Sequence, residues 1–361
     1  MRSVGVEEEL LLVDRDSGEP RAMSSAVMAV AAREDDADFE AELHREQLEF
    51  ATRPHRSMTN LAEEIVRWRT TAADHAEKLG GAAVALATSP LPVSPTIGSG
   101  TRHQWLAREF GLTTQEQLTC GCHVHVAVES DEEGVAVLNR LRPWMSVLVA
   151  LSANSPFWQG EDSGYSSYRS RVWGRWPTAG PVELFADAAA YHREVRGMVA
   201  TGVLRDRGMV YFDARLSAAH PTVEVRVADV CLEPFTTVLL AMLVRGLVET
   251  AAREWRAGEP AAPHPVSLLR LAAWRAGRSG LAGELVCPRL MRPVPARDAA
   301  ESLLEHVRPA LEDVGDFERA RALLSRLLRD GSGTRVQREV FRTGGLRDVV
   351  AECVRRTHSG I

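Results

Sequence analysis

The chain has 361 residues, of which 45% are hydrophobic and 25% are charged, and its formal net charge is −6. This composition is typical of a globular protein with a large core. Because acids and bases are interleaved along the chain, we expect neither nucleic acid nor an anionic membrane as a partner. Lys78 is the one lysine among 43 basic residues, which excludes Schiff-base or P-loop chemistry that needs a lysine elsewhere.

The sequence also predicts where the protein acts. A strand is under way by Gly5, which leaves no room before it for a targeting segment. No apolar run approaches the roughly 18 residues that a membrane span needs. The five cysteines are an odd number without framework spacing, which indicates reduced thiols. We therefore expect a cytoplasmic protein that does not enter a membrane.

The first half of the chain mixes strands and helices. The segment 39–54 is ambiguous, because its acids suit a helix whereas "EFATRP" ends like a strand. The other predicted elements are a strand at 4–13, a turn at 14–18, a short helix at 22–33, a long helix from Ser57 to about Leu79, a short buried strand from Gly81, a strand at 118–130 and a long helix at 131–151 that is interrupted near Pro143.

The second half begins with a long loop at 154–177 that is rich in glycine, serine, aromatic residues and arginine, a composition typical of an ordered functional loop. Then follow a helix at 191–201, strands at 211–217 and 221–230, an apolar helix at 235–255 and a helical remainder at 266–356. The apolar helix could pack on the sheet or in a homo-oligomer. Since strands and helices do not alternate strictly, we predict an α+β fold with an antiparallel sheet. We expect one domain, 1–361, with a helical C-terminal subregion at 265–361.

Three predicted strands carry polar residues at alternate positions, and residues two apart share one face of a strand. The same-face pairs are Glu7 with Glu9, His123 with His125, and Glu224 with Arg226. Glu42 and Glu49 supply two further acids from the ambiguous segment. Glu8 faces the other way and is expected to be a spare carboxylate. A site of carboxylates and one imidazole is suited to Mg²⁺ or Mn²⁺, which substrate phosphates commonly also bind.

Each of these patterns also has a structural interpretation. Three acids at the head of a strand can lie in solvent, an H-x-H pair can be structural, and Glu-x-Arg can be an ion pair. Cys120 and Cys122 are predicted to be buried thiols, because a zinc site would need a partner pair.

Five motifs in one order, however, resemble a known family. "GVEEELLLVD", "LEFAT", "CGCHVHV", "NSPFWQGEDSGYSSYRSRVW" and "VEVRVADV" are together similar to those of the type 2 glutamate–cysteine ligase-like carboxylate–amine ligases, in the glutamine synthetase/glutamate–cysteine ligase superfamily. The resemblance covers roughly residues 3–256. It implies a curved, mainly antiparallel sheet that forms an active-site funnel with helices outside. It also implies that ATP converts a carboxylate to an acyl phosphate, which an amine attacks to give an amide, ADP and phosphate.

The resemblance also implies roles for single residues. The residues that match metal-binding positions are Glu7, Glu9, Glu42, Glu49, His123 and Glu224. Arg226 matches the arginine that contacts the transferred phosphoryl group, and we assign catalytic roles to Arg226 and Glu224. His125 is expected to support these residues without binding the metal. The substrates implied are ATP and two amino acids, for example glutamate and cysteine, with Mg²⁺ or Mn²⁺ as cofactor.

The long loop supplies the predicted substrate contacts. Arg169 and Arg171 are candidates for binding the substrate's α-carboxylate, and Tyr165 is predicted to line the site. Together with other loop aromatics, namely Trp158, Tyr168 and Trp173, it could close the site against water, which would hydrolyse an acyl phosphate. Alternatively, the two arginines pair with Glu161 and Asp162.

Three other functions remain possible from the sequence. H-x-H also opens the site of many metal-dependent amidohydrolases, although the expected later histidines and lysine are sparse here. A non-catalytic relative that binds a nucleotide or amino acid is the second possibility. The third is phosphorylation of a guanidino group, which would give a phosphorylated guanidine in place of an amide.

Overall fold

The computed structural model describes residues 1–34 and 39–358. The last three residues of the predicted subregion 265–361 therefore lie outside the described residues. The strands are β1 (Val4–Asp14), β2 (Phe39–Ala41), β3 (Gln47–Ala51), β4 (Gly81–Val84), β5 (Gly121–Ala127), β6 (Phe157–Trp158), β7 (Glu161–Asp162), β8 (Ala214–Leu216), β9 (Thr222–Asp229), β10 (Glu284–Val286) and β11 (Pro293–Pro295).

Helices account for most of the remaining chain. They are α1 (Ser24–Ala31), α2 (Met58–Glu77), α3 (Thr101–Phe110), α4 (Leu112–Gln115), α5 (Asp131–Leu141), α6 (Met145–Ser152), α7 (Arg169–Trp173), α8 (Ala188–Ala200), α9 (Pro234–Arg256), α10 (Val266–Ser279), α11 (Ala296–His306), α12 (Arg308–Glu312), α13 (Phe317–Asp330), α14 (Gly333–Thr343) and α15 (Leu346–Thr357).

The central sheet has seven strands and is open at both edges. Its order is β2-β3-β1-β5-β9-β8, with β4 paired to the second half of β1. Every pairing within it is antiparallel. The predicted α+β fold, with a mainly antiparallel sheet, packed helices and a helical C-terminal region, is confirmed.

The most apolar helix, α9, is the core helix of the fold. By length and composition it could cross a membrane, but 89% of its most apolar window is buried inside the chain. It packs against the sheet strand β5, against α2, α5 and α6, and against the C-terminal helices α11 to α13. Its apolar surface is therefore covered within one chain, which answers the question left open by its sequence.

Local sequence signals explain where several elements begin. Ser57 Oγ accepts a hydrogen bond from Asn60 N at the start of α2, and Ser130 Oγ does the same for Glu133 N at α5; such caps satisfy otherwise free amide groups. A short 3₁₀ turn that contains Pro143 separates α5 from α6, as the sequence predicted.

The structure decides one segment that the sequence left open and corrects the bounds or content of others. The ambiguous segment forms two short strands, β2 and β3, in which Phe39, Leu48 and Phe50 are buried. The strand predicted at 211–217 is limited to Ala214–Leu216. The C-terminal region contains a β-hairpin, β10–β11, besides its helices. The loop 154–177 contains β6, β7 and α7, and most of its residues are buried or half-buried.

Glu8 corrects another expectation. It is fully buried on the opposite face of β1 from Glu7 and Glu9, and it forms an ion pair with Arg69 of α2. It is therefore a structural residue and not a spare carboxylate.

Candidate active site

Strand register brings the predicted polar residues together. On neighbouring strands, Glu7 lies opposite His123, Glu9 opposite Glu49, and His125 opposite Glu224. Side chains at directly opposed positions are neighbours on one face of a sheet. Four consecutive strands, β3, β1, β5 and β9, thus place acids and imidazoles in one patch.

Glu7 is at the centre of this patch. Its Oε2 lies 3.1 Å from His123 Nδ1, and its Oε1 lies 3.1 Å from His125 Nε2. The other ring nitrogen of His125, Nδ1, lies 3.1 Å from Thr222 Oγ1. Both imidazoles are therefore oriented by defined partners.

Two groups of side chains in the patch have ligand atoms close enough to hold a metal ion. One consists of Glu7, Glu49 and His123, and the other of Glu7, His125 and Glu224; within each group the ligand atoms lie within 4.8 Å of one another. His125, which was expected to have only a supporting role, belongs to the second group. Carboxylate oxygens with one imidazole are a suitable donor set for Mg²⁺ or Mn²⁺.

An unsatisfied nitrogen supports this fit. His123 is 4% exposed, and its buried Nε2 has no hydrogen-bond partner among the described residues. This atom lies 4.0 Å from Glu9 Oε1. A buried polar atom without a partner is costly, and a cation between Nε2 and the neighbouring carboxylates would satisfy it.

Burial and mutual repulsion perturb the acids strongly. Burial and the charge of Glu42 raise the pKa of Glu9 to about 7, although Arg169 and a hydrogen bond from Gly121 N act in the opposite direction. Burial and the neighbouring Glu42 also raise the pKa of Glu49 well above its ordinary value. A divalent cation would relieve both effects, because it favours the ionised carboxylates.

The pKa values of Glu7 and His123 both lie below the ordinary values of these groups. Burial acts to raise the pKa of Glu7, but hydrogen bonds from His123 and His125 outweigh it, and the pKa lies below its ordinary value. Burial and the nearby Arg226 lower the pKa of His123 to about 4. His123 is therefore neutral at pH 7, which is the form that can bind a metal.

Glu224 is held between two arginines. Arg215 donates to it through Nε at 2.7 Å and Nη2 at 3.2 Å, and Arg226 Nη1 also donates to it. Burial opposes ionisation of Glu224, but the two arginines lower its pKa to about 2. Arg226 keeps its buried Nε without a partner among the described residues, and its guanidinium carbon lies 5.6 Å from the ring centre of Trp173.

A cavity of about 260 Å³ opens over the patch. Four of the five predicted acids of the metal set line it, namely Glu7, Glu9, Glu42 and Glu49. So do several residues that the sequence analysis did not select: Gln47, Arg102, His103, Gln117, Thr119, Trp176, Tyr211 and Arg215. We call it the acidic cavity. Arg215 lies opposite Glu224 in the sheet, but sequence alone does not give the register that brings them together.

The loop arginines lie near the acids but outside this cavity. Arg169 is 1% exposed and packs over Gly121, where a Cβ atom would overlap with its guanidinium group. Arg169 and Arg171 line a second cavity of about 440 Å³, which shares Arg226, Trp173 and Trp176 with the first.

The other predicted loop contacts have different positions. Tyr165 lies outside the walls of both cavities; its hydroxyl accepts a hydrogen bond from Trp274 Nε1 at 3.2 Å. Asp162 pairs with Arg338 of α14 at 2.7 Å, so the alternative in which it pairs with a loop arginine was wrong. Trp158 and Tyr168 pack on each other with ring centres 5.7 Å apart.

The fold has two close parallels among solved ligases. A glutamate–cysteine ligase from Francisella tularensis in complex with AMP superposes with a TM-score of 0.68, at 14% identity over 99% of this chain and 89% of that chain. A bifunctional glutathione synthetase from Pasteurella multocida gives a TM-score of 0.70, at 14% identity over 99% of this chain and 52% of that chain. At 14% identity this similarity shows the fold alone, and the chain shares that fold with these two ligases.

Comparison of the amino-acid sequence with known proteins identifies the family to which the chain belongs. The model of glutamate–cysteine ligase family 2 matches residues 3–355. A Streptomyces avermitilis protein with the name "Putative glutamate--cysteine ligase 2-1" is 64% identical over 360 residues, which cover 99% of each chain. A Streptomyces coelicolor protein, "Putative glutamate--cysteine ligase 2", is 62% identical over 362 residues, which cover 99% of this chain and all of that one. The chain belongs to glutamate–cysteine ligase family 2.

Proposed function

We propose that the protein is an ATP-dependent ligase that joins the side-chain carboxylate of glutamate, or of a related amino acid, to an amine such as cysteine. The observation that carries this proposal is the patch of four carboxylates and His123 beside Arg226, in a chain with this family's fold. The partners are then small amino acids, and the place of action is the cytoplasm. A homo-oligomer and the extent of the catalytic domain, 1–361, remain predictions.

The residues that would hold Mg²⁺ or Mn²⁺ are those of the two close groups, with Glu9 and Glu42 alongside. When bound, the metal supplies positive charge that neutralises phosphate oxygens and orients them for transfer. The chain itself supplies the ionised donors: Glu7 and Glu224 have lowered pKa values, and His123 is neutral at pH 7.

ATP is proposed as the phosphoryl donor. The Francisella tularensis ligase with the same fold holds AMP, which supports a nucleotide as co-substrate. Since the chain has a single lysine, Lys78, which pairs with Glu34 at the surface, arginine must provide the side-chain cations. Arg226 is the best placed, because it lines both cavities and its fork can contact phosphate oxygens at two points.

The proposed reaction has two steps. A carboxylate oxygen of the substrate attacks the γ-phosphorus of ATP, the bond to the ADP oxygen breaks, and an acyl phosphate forms. The amine nitrogen then attacks the acyl carbon, phosphate leaves with the electron pair of the C–O bond, and the nitrogen loses a proton. Arg226 stabilises the charge that develops on the transferred group. Trp173 and Trp176 exclude water from the acyl phosphate.

The substrate's α-carboxylate is proposed to bind at Arg169 or Arg171. Both line the second cavity, and neither forms an ion pair with a described residue. Tyr165 would act only indirectly, through its contact with Trp274.

The experiment is to measure ADP release with Mg²⁺ and ATP across a matrix of amino-acid pairs and to identify products by mass. We expect ADP only with glutamate, or a related acid, plus an amine, and a product mass equal to the sum of the two minus water. Glu224→Ala should abolish turnover, whereas the exposed Asp298→Asn on α11 should leave it unchanged.

Other outcomes would identify the alternatives. A phosphorylated guanidine would indicate a kinase, and amide hydrolysis without ATP would indicate an amidohydrolase. Binding of ATP without turnover for any pair would indicate a non-catalytic relative. Each of these results would refute the ligase proposal.

A further inference from the structure

Asp229, the last residue of β9, is a buried carboxylate that no step of the proposed reaction uses. It is 1% exposed and forms no ion pair with a described residue. Ser167 Oγ donates to its Oδ1 at 2.8 Å, and Asn154 N and Ser155 Oγ donate to its Oδ2 at 2.8 and 2.7 Å. All three donors belong to the loop 154–177. Because a buried carboxylate needs such donors, Asp229 fixes this loop to the end of the sheet.

The two serines connect Asp229 to the start of α7. Ser155 Oγ accepts a hydrogen bond from Arg169 N at 3.0 Å, and Ser167 Oγ accepts one from Ser170 N at 3.4 Å. A hydroxyl group that donates to a carboxylate can still accept through its lone pairs. Each serine therefore links Asp229 to one main-chain amide group, and the carboxylate holds the chain where Arg169 leaves it.

The guanidinium group of Arg169 lies over Gly121 of β5. A Cβ atom at Gly121 would overlap with Arg169 Nη2, so glycine leaves a slot for the side chain. Gly121 lies directly opposite Asp229 in the pairing of β5 with β9, and its N donates to Glu9 Oε2 at 2.7 Å. Asp229 and the slot at Gly121 thus act on the same arginine, one on its main chain and the other on its side chain, beside the acidic patch.

No ion pair with a described residue holds the side chain of Arg169 in this slot. Arg169 is 1% exposed, its Nε is buried without a hydrogen-bond partner, and its guanidinium carbon lies 5.3 Å from the ring centre of Trp173. Burial raises the pKa values of Asp229 and Glu9, and the charge of Arg169 acts to lower both. Because a buried guanidinium without a counterion is costly, its position depends on the groups that frame it.

We propose that Asp229 is a positioning residue, which together with the slot at Gly121 sets Arg169 in the wall of the second cavity. The kinetic consequence of this inference rests on the proposed function, in which Arg169 is a candidate to bind the carboxylate substrate. Asp229 itself lines neither cavity. It acts through Ser155 and Ser167, so loss of this network should misplace one arginine and leave the acidic patch intact.

The test is steady-state kinetics of the full-length protein with Mg²⁺, ATP and the amino-acid pair identified from the substrate matrix. Asp229→Asn removes the charge at nearly constant shape, and Gly121→Ala adds one methyl group in the slot. Because a charged hydrogen bond to the carboxylate substrate is lost, both should raise KM for that substrate by about tenfold or more. KM for ATP should stay within about twofold, and kcat should change less than KM. Asp298→Asn, exposed on α11, should alter none of these constants.

A background without the arginine separates positioning from a general loss of stability. In Arg169→Gln protein, Asp229→Asn should change KM for the carboxylate substrate by less than about twofold, because changes that act through one group are not additive. Should Asp229→Asn fail to fold, as judged by circular dichroism, Ser155→Ala takes its place in both backgrounds. An effect on KM that is equally large with and without Arg169 would overturn the inference.

Crystal structures of the same variants test the position of Arg169 without any turnover. Its guanidinium group should leave Gly121 in Asp229→Asn and stay there in Asp298→Asn. An unmoved Arg169 in Asp229→Asn, or an unchanged KM for the carboxylate substrate, would overturn the inference even if wild-type protein forms amides. A displaced Arg169 in a protein that turns over no amino-acid pair would instead refute the ligase proposal and support the positioning of Arg169 by Asp229.

Discussion

Glu8 of β1 and Arg69 of α2 form a two-point ion pair from which solvent is entirely excluded. Arg69 Nε lies 2.8 Å from Glu8 Oε2, and Arg69 Nη2 lies 2.7 Å from Glu8 Oε1. Arg69 also donates to the carbonyl oxygens of Cys231 and Leu232, and Thr237 Oγ1 donates to Glu8 at 2.6 Å. The pair thus joins β1, α2 and the start of α9 directly behind the acidic patch.

Removal of one partner should destabilise the fold strongly. Arg69→Met leaves an uncompensated buried carboxylate, and we expect a loss of about 3–5 kcal/mol in the free energy of unfolding. The double variant Glu8→Gln/Arg69→Met should lose clearly less free energy of unfolding than the sum of the two single variants. Each single change leaves one buried charge without its partner, whereas the double change removes both charges. Urea unfolding measures all three. A loss below about 1 kcal/mol for Arg69→Met would contradict this role.

His306 should make stability depend on pH. Burial, with Arg289 nearby, lowers its pKa to about 4, and its ring stacks on Trp144 with centres 4.5 Å apart. The unfolded chain, with a histidine pKa near about 6.5, binds more protons between pH 4 and 6.5, so stability is full above that range and is lost as pH falls through it. In wild-type protein His306 should account for a change of up to about 3 kcal/mol in the free energy of unfolding between pH 4 and 6.5, and His306→Phe should remove this change.

The measurement is the free energy of unfolding at several pH values for wild-type protein and His306→Phe. His192, whose side chain is 27% exposed and pairs with Asp131, offers the control His192→Phe. Parallel pH curves for wild-type and His306→Phe protein would argue against a buried neutral imidazole.

Divalent metal should stabilise the protein more at high pH. The raised pKa of Glu9, about 7, means that metal-free folded protein holds a proton there that the unfolded chain has lost, so stability falls as pH rises from about 4.5 through 7. Metal must displace that proton. The melting-temperature shift with Mg²⁺ should therefore be larger at pH 8 than at pH 6.

Two variants test whether the metal-induced shift in melting temperature arises at the acidic patch. Glu49→Gln should reduce the metal-induced shift and raise stability in chelator, because it removes a repelling acid. Glu161→Gln, an exposed change in β7, should alter neither quantity. An equal shift in wild-type protein and Glu49→Gln would show that metal binds elsewhere.

Arg226 should matter for catalysis more than for folding. Arg226→Lys keeps a positive charge but loses the planar fork, and Glu224 keeps its two contacts with Arg215. We expect kcat to fall by about 10²–10³-fold with little change in melting temperature. Arg297→Lys, on the exposed face of α11, should leave kcat unchanged. An unchanged kcat in Arg226→Lys would remove Arg226 from the phosphoryl-transfer step.

Much of the acidic patch is predictable from the sequence, because strand periodicity fixes which side chains share a face. Glu7 and Glu9, His123 and His125, and the neighbours of Glu224 follow this rule. Glu8 also follows this rule, but its burial and its ion pair with Arg69 were not predicted, because Arg69 is distant in the chain and lies in a helix whose sequence is that of an ordinary amphipathic helix. No local pattern indicates such a pairing.

The other residues that line the two cavities are brought together by tertiary contacts. Arg215 reaches Glu224 only through the register between β8 and β9. Asp213 and Arg270 lie in segments without a motif, and they meet because α10 packs against α6 and α7. Residues from separate elements that converge on a cavity carry no shared spacing, so sequence reasoning could not select them.

The central claim is that ATP activates the substrate's side-chain carboxylate as an acyl phosphate, and isotope transfer tests it most directly. Glutamate labelled with ¹⁸O in its side-chain carboxylate would be incubated with the protein, Mg²⁺, ATP and the amine identified from the substrate matrix. The released phosphate would then be analysed by mass spectrometry. The account predicts one ¹⁸O atom in each phosphate, since the carboxylate oxygen that attacks phosphorus leaves with it. Phosphate without label, in a reaction that still forms the amide, would contradict it.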